Sequence, residues 1–307
     1  MTQMSEMQSA AIAVATYRRN DSLRRLLQSL ASQVHDGWEV RVVVVDNDPA
    51  HGAAAATYDG ADSFVMLHEP RPGIVAARNR ALQELAQQPP DIIVFVDDDE
   101  EPMSSDWLIT LLESMESWSC DAVIGPVLPA FPPGVSPELV SGGFFERKRQ
   151  ESGTPVGWGT TNNTALRWST LQKLDSPRFD PDFSESGGSD AELFWRLMRA
   201  EASVLWCEEA PVKEYFPADR AQWPWLRRRT RRLGNVSARL KLRDHSRVFV
   251  AFLGLSRSVL GTLIILAARL RGRPVPARGF DHKYKGIGMV AECFGRRVRE
   301  YQRPRST

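Results

Sequence analysis

Residues 92–96 read Ile-Ile-Val-Phe-Val, and the next five, Asp97, Asp98, Asp99, Glu100 and Glu101, are all acidic before Pro102. An unbroken β-branched and aromatic run is the pattern of a strand covered on both faces, so this chain needs helices above and below a sheet. Carboxylates packed this closely repel one another, and their clustering costs stability unless a cation or donor groups sit among them. A solvated acidic turn is the competing reading, and the surrounding pattern decides between the two.

That pattern alternates. Residues 11–15 predict a first strand, and Asn20 or Asp21 caps a helix whose Leu23, Leu26, Leu27 and Leu30 recur at helical spacing. Residues 40–45 predict a second strand, stopped by Asp46-Asn47-Asp48-Pro49, and 64–67 a third. Helices are expected over 74–85 and 107–115, on either side of the 92–96 strand. Further on, 123–128 reads as a strand and 191–200 as a helix. Such alternation predicts an α/β fold with a mostly parallel sheet flanked by helices, which binds ligands outside the carboxyl ends of its strands. Three of those ends carry polar clusters, at 16–19, 46–48 and 97–101, which raises the acidic run above a plain turn.

Charge divides the 307 residues unevenly. The net charge is +1, yet residues 220–307 hold about 22 Lys/Arg against 4 Asp/Glu, which leaves an acidic remainder. A basic tail of this kind suits phosphate, in nucleic acid or in anionic lipid. Cys120, Cys207 and Cys293 show no ligand spacing, as expected of reduced cytosolic thiols, and the N-terminus has no signal-peptide pattern. Neither a Walker nor a dinucleotide-binding glycine motif is present.

A strand-end Asp-x-Asp, here Asp97 and Asp99, offers the hard oxygen donors that hold Mg²⁺ or Mn²⁺ while leaving positions for diphosphate oxygens. Asp46 suits a hydrogen bond to a base or ribose. Arg78 in Ala77-Arg78-Asn79 suits a phosphate or a carboxylate that it orients. Asp190, at the start of a helix after Gly187-Gly188-Ser189, reads either as a cap or as a general base toward an acceptor hydroxyl.

Taken in order, these segments resemble an inverting family 2 glycosyltransferase with a GT-A fold, over roughly residues 9–235. Thr16-Tyr17-Arg18-Arg19 resembles the family's first strand-end motif, and Val45-Asp46-Asn47-Asp48 its nucleotide-binding segment. Pro72-Gly73 with Ala77-Arg78-Asn79 resembles its Gly…Ala-Arg-Asn segment. Phe95-Val96-Asp97-Asp98-Asp99-Glu100 with Trp107-Leu108 resembles the DxD segment of the succinoglycan-type glucosyltransferase subgroup, and Gly187-Gly188-Ser189-Asp190 the Glu-Asp acceptor-base motif. The resemblance implies donor contacts at Thr16, Tyr17, Arg19, Asp46, Asp48, Gly73, Arg78, Asp97 and Asp98, a divalent metal on Asp97 and Asp99, and Asp190 as base. It also implies a diphosphate clamp from Arg228, Arg231 or Arg232. Trp158, Asn162, Asn163 and Ser189 are the expected acceptor contacts, with Ser189 standing where the family usually carries Glu. The resemblance implies a nucleoside-diphosphate sugar donor, UDP-linked and with glucose as the resembled subgroup's sugar, and a saccharide on a polyprenyl diphosphate as acceptor.

Residues 236–307 are expected to form a basic helical extension beyond a 1–235 catalytic domain, itself divided near 120 into nucleotide-sugar and acceptor halves. Its run 248–268 is long enough to cross a bilayer, but Arg257 falls in the middle, at about 2.5–3.5 kcal/mol on insertion scales. Arg239, Lys241, Arg243 and Arg247 precede the run, and Arg269, Arg271 and Arg273 follow it. Basic flanks at both ends favour one or two amphipathic helices on an anionic leaflet, at the cytoplasmic side of the plasma membrane. A nucleic-acid binder and a metal-dependent nucleotidyltransferase are the alternatives. The first accounts for the tail but not for the acidic strand ends, and the expected partners accordingly include no nucleic acid.

Overall fold

In the computed structural model, which describes residues 7–52 and 64–298, the apolar runs become strands of one sheet. The order begins β1 (Gln8–Thr16), α1 (Asn20–Ala31), β2 (Trp38–Asp46), β3 (Phe64–His68), α2 (Ile74–Leu85), β4 (Ile92–Phe95), β5 (Glu100–Pro102) and α3 (Trp107–Trp118). It continues with β6 (Ala122–Ile124), β7 (Val127–Ala130), α4 (Pro137–Ser141), β8 (Thr164–Arg167), α5 (Trp168–Gln172), α6 (Ser189–Arg199), β9 (Val204–Trp206) and β10 (Val212–Tyr215). Three long helices close the chain: α7 (Trp223–Lys241), α8 (Arg247–Leu270) and α9 (Ala277–Cys293).

The large sheet has the order β3-β2-β1-β4-β8-β6-β9. β1 runs parallel to β2 and β4, β2 to β3, and β6 to β9, while β8 alone is antiparallel to its neighbours. The uninterrupted hydrophobicity of residues 92–96 follows from burial on both faces. Ile92, Val94 and Val96 join Ile12, Val14 and the α1 and α3 side chains Leu23, Leu27, Trp107 and Leu111. Ile93 and Phe95 turn the other way, onto Ala81 and Leu85 of α2 and Leu193 and Phe194 of α6. Burial of all five positions supplies roughly 1.5–3 kcal/mol per large side chain.

Two local readings change. The single strand predicted over 123–128 is divided between two sheets, because β6 stops at Ile124 and β7 starts at Val127. Gly125 and Pro126 make the break. A Cβ at Gly125 would run into the Ala210 carbonyl and the Asn163 amide, and Pro126 has no N–H to give a ladder. The Gly- and Thr-rich stretch after 157 delivers β8, the antiparallel insertion, which no alternation in the sequence announced.

The chain forms two compact units. Unit 1 takes the described residues up to Leu128, Arg147–Ser184 and Ser189–Glu214. Unit 2 takes Pro129–Glu146, Glu185–Gly188 and the described residues from Tyr215 onward. The predicted boundary at 235 therefore falls inside α7, which runs unbroken from Trp223 to Lys241. Unit 2 has its own aromatic core, in which Phe131, Phe145 and Phe216 pack edge-on and tilted at 4.9–5.6 Å between ring centres. The run 248–268 lies within a single helix, α8.

Candidate active site

Parallel register brings the polar strand ends together. Thr16 of β1 stands opposite Asp46 of β2, and Ala13 of β1 opposite Phe95 of β4, so both chains leave the sheet on the same side as the acidic turn. β2 and β4 flank β1 while the chain reverses direction across the sheet, and the crevice opens at that point.

The acidic turn is built as a closed unit. Glu100 N–H bonds the Asp97 carbonyl at 3.1 Å, and its carboxylate accepts the Asp97 N–H at 2.9 Å. The buried Asp98 accepts Thr16 Oγ1 at 2.8 Å. One guanidinium nitrogen of Arg19 lies 2.7 Å from both Asp98 and Asp99. Arg78 reaches Asp97 at 3.1 Å and lies 5.4 Å from the centre of the Phe179 ring. Asn79, next to it, donates to the Phe179 carbonyl and accepts its N–H, so the Ala-Arg-Asn segment holds the loop under that ring.

These carboxylates outnumber their cations. Burial, only partly offset by Arg19, pushes Asp98 above the usual carboxylate range and Asp99 up to about 7. Burial and then the Asp97 charge push Glu100 well upward. For Arg19, burial opposes ionisation, but the Asp98 and Asp99 charges override it and raise the guanidinium further.

On the far side of β1, Asp46 is fully buried, accepts the Asp48 N–H at 2.9 Å and faces His51 Nδ1 at 3.3 Å. Asp48 holds Arg18 at 3.0 Å, and Arg18 lies 5.2 Å from the Tyr17 ring centre. Asn47 donates to the Glu69 and Arg71 carbonyls and accepts the Gly73 N–H. Gly73 starts α2 at φ +113, a conformation L side chains rarely adopt, which explains glycine there. The structure thus joins Thr16, Arg19, Asp97, Asp98 and Asp99 directly, and Asp46, Asp48 and Gly73 through Asn47 and the β2 end.

The expected acceptor residues separate. Trp158 is exposed, tilted 6.4 Å from Trp206, and is not core. Asn162 is buried and bridges Glu100, at 2.9 Å, to Arg147, at 2.9 Å. Asn163 differs from the expectation. It is fully buried, sits at φ +54, and commits its amide to Trp107 Nε1, Pro126 O and Ala210 O at 2.8 Å each. That makes it a strut between elements, with no surface left for a sugar. Ser189 is buried at the first position of α6, and the half-buried Asp190 accepts the N–H of Ala191 at 2.8 Å.

In unit 2, Arg228 and Arg231 lie exposed on α7, Arg231 over the Tyr284 ring at 5.6 Å, and Arg232 is half-buried. Two residues of unit 1 that the sequence did not single out belong to its polar network, and unit 2 has a contact of its own that no motif announced. Arg147 joins Asn162 to Glu214, and His51 touches Asp46. Arg239 of α7 donates to Ser186 at 2.9 Å, three residues before Ser189. No short motif marks any of them, and Arg147 and Arg239 reach partners far away in the sequence.

The metal reading is consistent with the donor set. Among the described residues no cluster of three His, Cys, Asp or Glu side chains is placed to hold a metal by itself. Asp97 and Asp99 supply two hard oxygen donors in an acidic turn with excess negative charge, a donor set that would suit a divalent cation.

Among solved structures, S. aureus TarS 1-349 in complex with UDP aligns over 94% of this chain and 91% of its own, with TM-score 0.54 and 16% identity. GalNAc-T7 with UDP, GalNAc and Mn²⁺ aligns over 70% of this chain with TM-score 0.53 and 11% identity, and the chain spans 45% of that protein's length. Sheet order, strand-end site and these likenesses define a GT-A fold. The glycosyl transferase family 2 model matches residues 11–174. The succinoglycan biosynthesis protein ExoM of Rhizobium meliloti (strain 1021) is 32% identical over 234 residues, which is 75% of this chain and 74% of ExoM. The chain belongs to glycosyl transferase family 2 and is a glycosyltransferase. The nucleotidyltransferase alternative gives way to this result.

Proposed function

We propose that the enzyme transfers a sugar from a UDP-sugar to a hydroxyl of a lipid-linked saccharide in exopolysaccharide synthesis, with inversion at the anomeric carbon. The observation that carries this reading is the convergence of Thr16, Arg19, Asp46 and Asp97–Asp99 at one sheet edge, beside the ExoM likeness. Asp46 and Asp48 would hold the base end of the donor, with Tyr17 and Gly73 beside it. Asp98 and Arg19 fix the acidic turn, and Arg78 orients Asp97. Mg²⁺ or Mn²⁺ on Asp97 and Asp99 would neutralise the diphosphate as it leaves. Asp190 accepts the acceptor hydroxyl's proton while that oxygen attacks the anomeric carbon. The C–O bond to the diphosphate breaks with its electron pair on the leaving group, so one bond forms and one breaks in a single displacement. Arg228, Arg231 or Arg232 would pair with the released phosphates. Trp158 offers an aromatic face to a sugar, and the reaction is assigned to the cytoplasmic side of the plasma membrane.

The test is a panel of UDP- and GDP-sugars with Mn²⁺ or Mg²⁺ and a membrane extract as acceptor source, read as nucleoside-diphosphate release and sugar incorporation. Metal-dependent incorporation of one UDP-sugar, abolished in Asp99→Asn and in Asp190→Asn, is expected. Normal transfer by both variants would overturn the assignment of the site.

A further inference from the structure

α8 wears its side chains inside out. Its exposed residues, Val248, Phe252, Leu255, Val259, Leu263, Leu266 and Leu270, recur every three or four positions and so form one stripe, with Phe249 and Leu260 on its borders. Its buried residues are Val250, Gly254, Gly261, Ile265 and Ala268. The small ones let α9 approach closely. A Cβ at Gly254 would stand 2.8 Å from Met289 Cβ, and one at Gly286 of α9 would stand 2.5 Å from the Gly254 carbonyl. Gly261 meets the Lys283 backbone, so the two helices run antiparallel and in contact along most of their length. Arg257 is turned to this inner side and pairs with Asp281 at 3.1 Å, where Lys285 joins it at 2.9 Å.

A stripe of nine large apolar side chains open to solvent needs a cover. Exposed Arg243 and Arg247 stand at one end of it, and exposed Arg269, Arg271 and Arg273 at the other. In a symmetric pairing of two copies, these clusters would repel. Against an anionic lipid surface both ends are attracted. A crossing of the bilayer is opposed by α9, since helices in glycine contact would have to enter together. α9 carries Arg278, Asp281, Lys283 and Lys285, and charged side chains are disfavoured at mid-bilayer.

We propose that α8 and α9 form a one-leaflet platform, with α8 lying in the plane of an anionic membrane and its stripe in the acyl region. The platform deepens the lipid-linked acceptor reading by naming the surface that the enzyme works on, yet it can be tested without transfer. Single cysteines at Phe252→Cys, Val259→Cys and Leu266→Cys in the full chain are labelled with bimane, the three native thiols being buried. The labelled protein is bound to vesicles of phosphatidylglycerol and phosphatidylcholine that carry spin labels at shallow or deep acyl positions. Equal, mainly shallow quenching at all three sites is expected. Flotation should require phosphatidylglycerol and fall about 10-fold or more in Phe252→Ser with Leu263→Ser. Deepest quenching at residue 259 with shallow ends would show a span and overturn the platform. Absence of flotation, with a dimer by light scattering that the same serine pair dissolves, would assign the stripe to a second copy and also overturn it. Sugar transfer to a soluble acceptor, measured in parallel, separates failure of the platform from failure of the catalytic reading.

Discussion

Asn163→Ala tests whether this residue is scaffold or sugar contact, and the structure sets the magnitude. The Asn163 amide makes three hydrogen bonds at 2.8 Å, from Trp107 Nε1 and to the carbonyls of Pro126 and Ala210, and both Trp107 and Ala210 are fully buried. Truncation leaves the Trp107 donor and the Ala210 acceptor without a partner, while the Pro126 carbonyl keeps the Val212 N–H, and each buried orphan costs about 1–3 kcal/mol. The left-handed backbone, φ +54, adds about 1–2 kcal/mol for alanine, which lacks asparagine's local hydrogen bonding. Partial relaxation offsets some of this, so the expected loss is about 4–6 kcal/mol, a large share of the ~5–15 kcal/mol that holds a domain. Urea unfolding followed by tryptophan fluorescence should show the midpoint falling steeply.

A companion variant keeps this measurable if the alanine protein folds poorly. Trp107→Phe removes one donor and should cost about 1–3 kcal/mol. Combined with Asn163→Ala it should cost less than the sum, because the two changes share a bond. An Asn163→Ala protein that unfolds at the wild-type urea concentration but shows a raised acceptor KM would refute the scaffold assignment.

Asp190→Asn should lower transfer by about 10²–10⁴-fold, the range for loss of a general base. Its melting temperature should hold, since an Asn side-chain oxygen can still accept the Ala191 N–H; a melting shift without a loss of transfer would make Asp190 a cap. The pH dependence follows from raised carboxylates. Asp98, Asp99 near 7 and Glu100 bind protons in the folded state that the unfolded chain has released, so their stabilising effect is present below about pH 4 and lost as pH rises through 7. The metal-free melting temperature should therefore fall between pH 5 and 8, and Mn²⁺ should restore it most at pH 8; equal Mn²⁺ effects at pH 5 and 8 would contradict this. Arg239→Ala should lower kcat several-fold with little change in donor KM, because Arg239 steadies Ser186 in the loop that leads to Asp190. Partial rescue by Arg239→Lys is expected, and an unchanged kcat would reduce the contact to a structural one.

The sequence discloses the parts of this molecule that obey local periodicity. Residues 92–96 announce a doubly covered strand because β4 is buried on both sides, and Asp46 and Asp97 announce strand ends because polar turns interrupt apolar runs. β8 was not legible, since an antiparallel insertion between parallel strands leaves no alternation of its own. Asn162 and Asn163 look alike in sequence, yet opposite demands separate them: one is held in the Glu100 and Arg147 network and the other in the core between Trp107 and two carbonyls. α8 is apolar by composition, but which face meets protein is decided by Gly254 and Gly261, seven residues apart, against Gly279 and Gly286 at the same spacing on α9. That matched spacing was present in the sequence and is the signal that would have located the hairpin.

The acidic run has two partial solutions to one problem. Arg19 and Arg78 neutralise part of the charge of Asp97, Asp98 and Asp99, and burial pushes Asp99 up to about 7 and Glu100 well upward. Neither solution tolerates a further anion: a diphosphate brought to this turn adds negative charge where burial already disfavours it, at several kcal/mol for each unscreened pair at effective dielectric near 20. A divalent cation held by Asp97 and Asp99 would remove that obstacle, in competition with the protons that burial favours there. Donor binding at this site should therefore depend on the cation more steeply as pH rises, since at low pH protons occupy and neutralise the oxygens that the metal would take. A donor affinity equally metal-dependent at pH 6 and pH 8 would mean that the guanidinium groups alone carry the diphosphate.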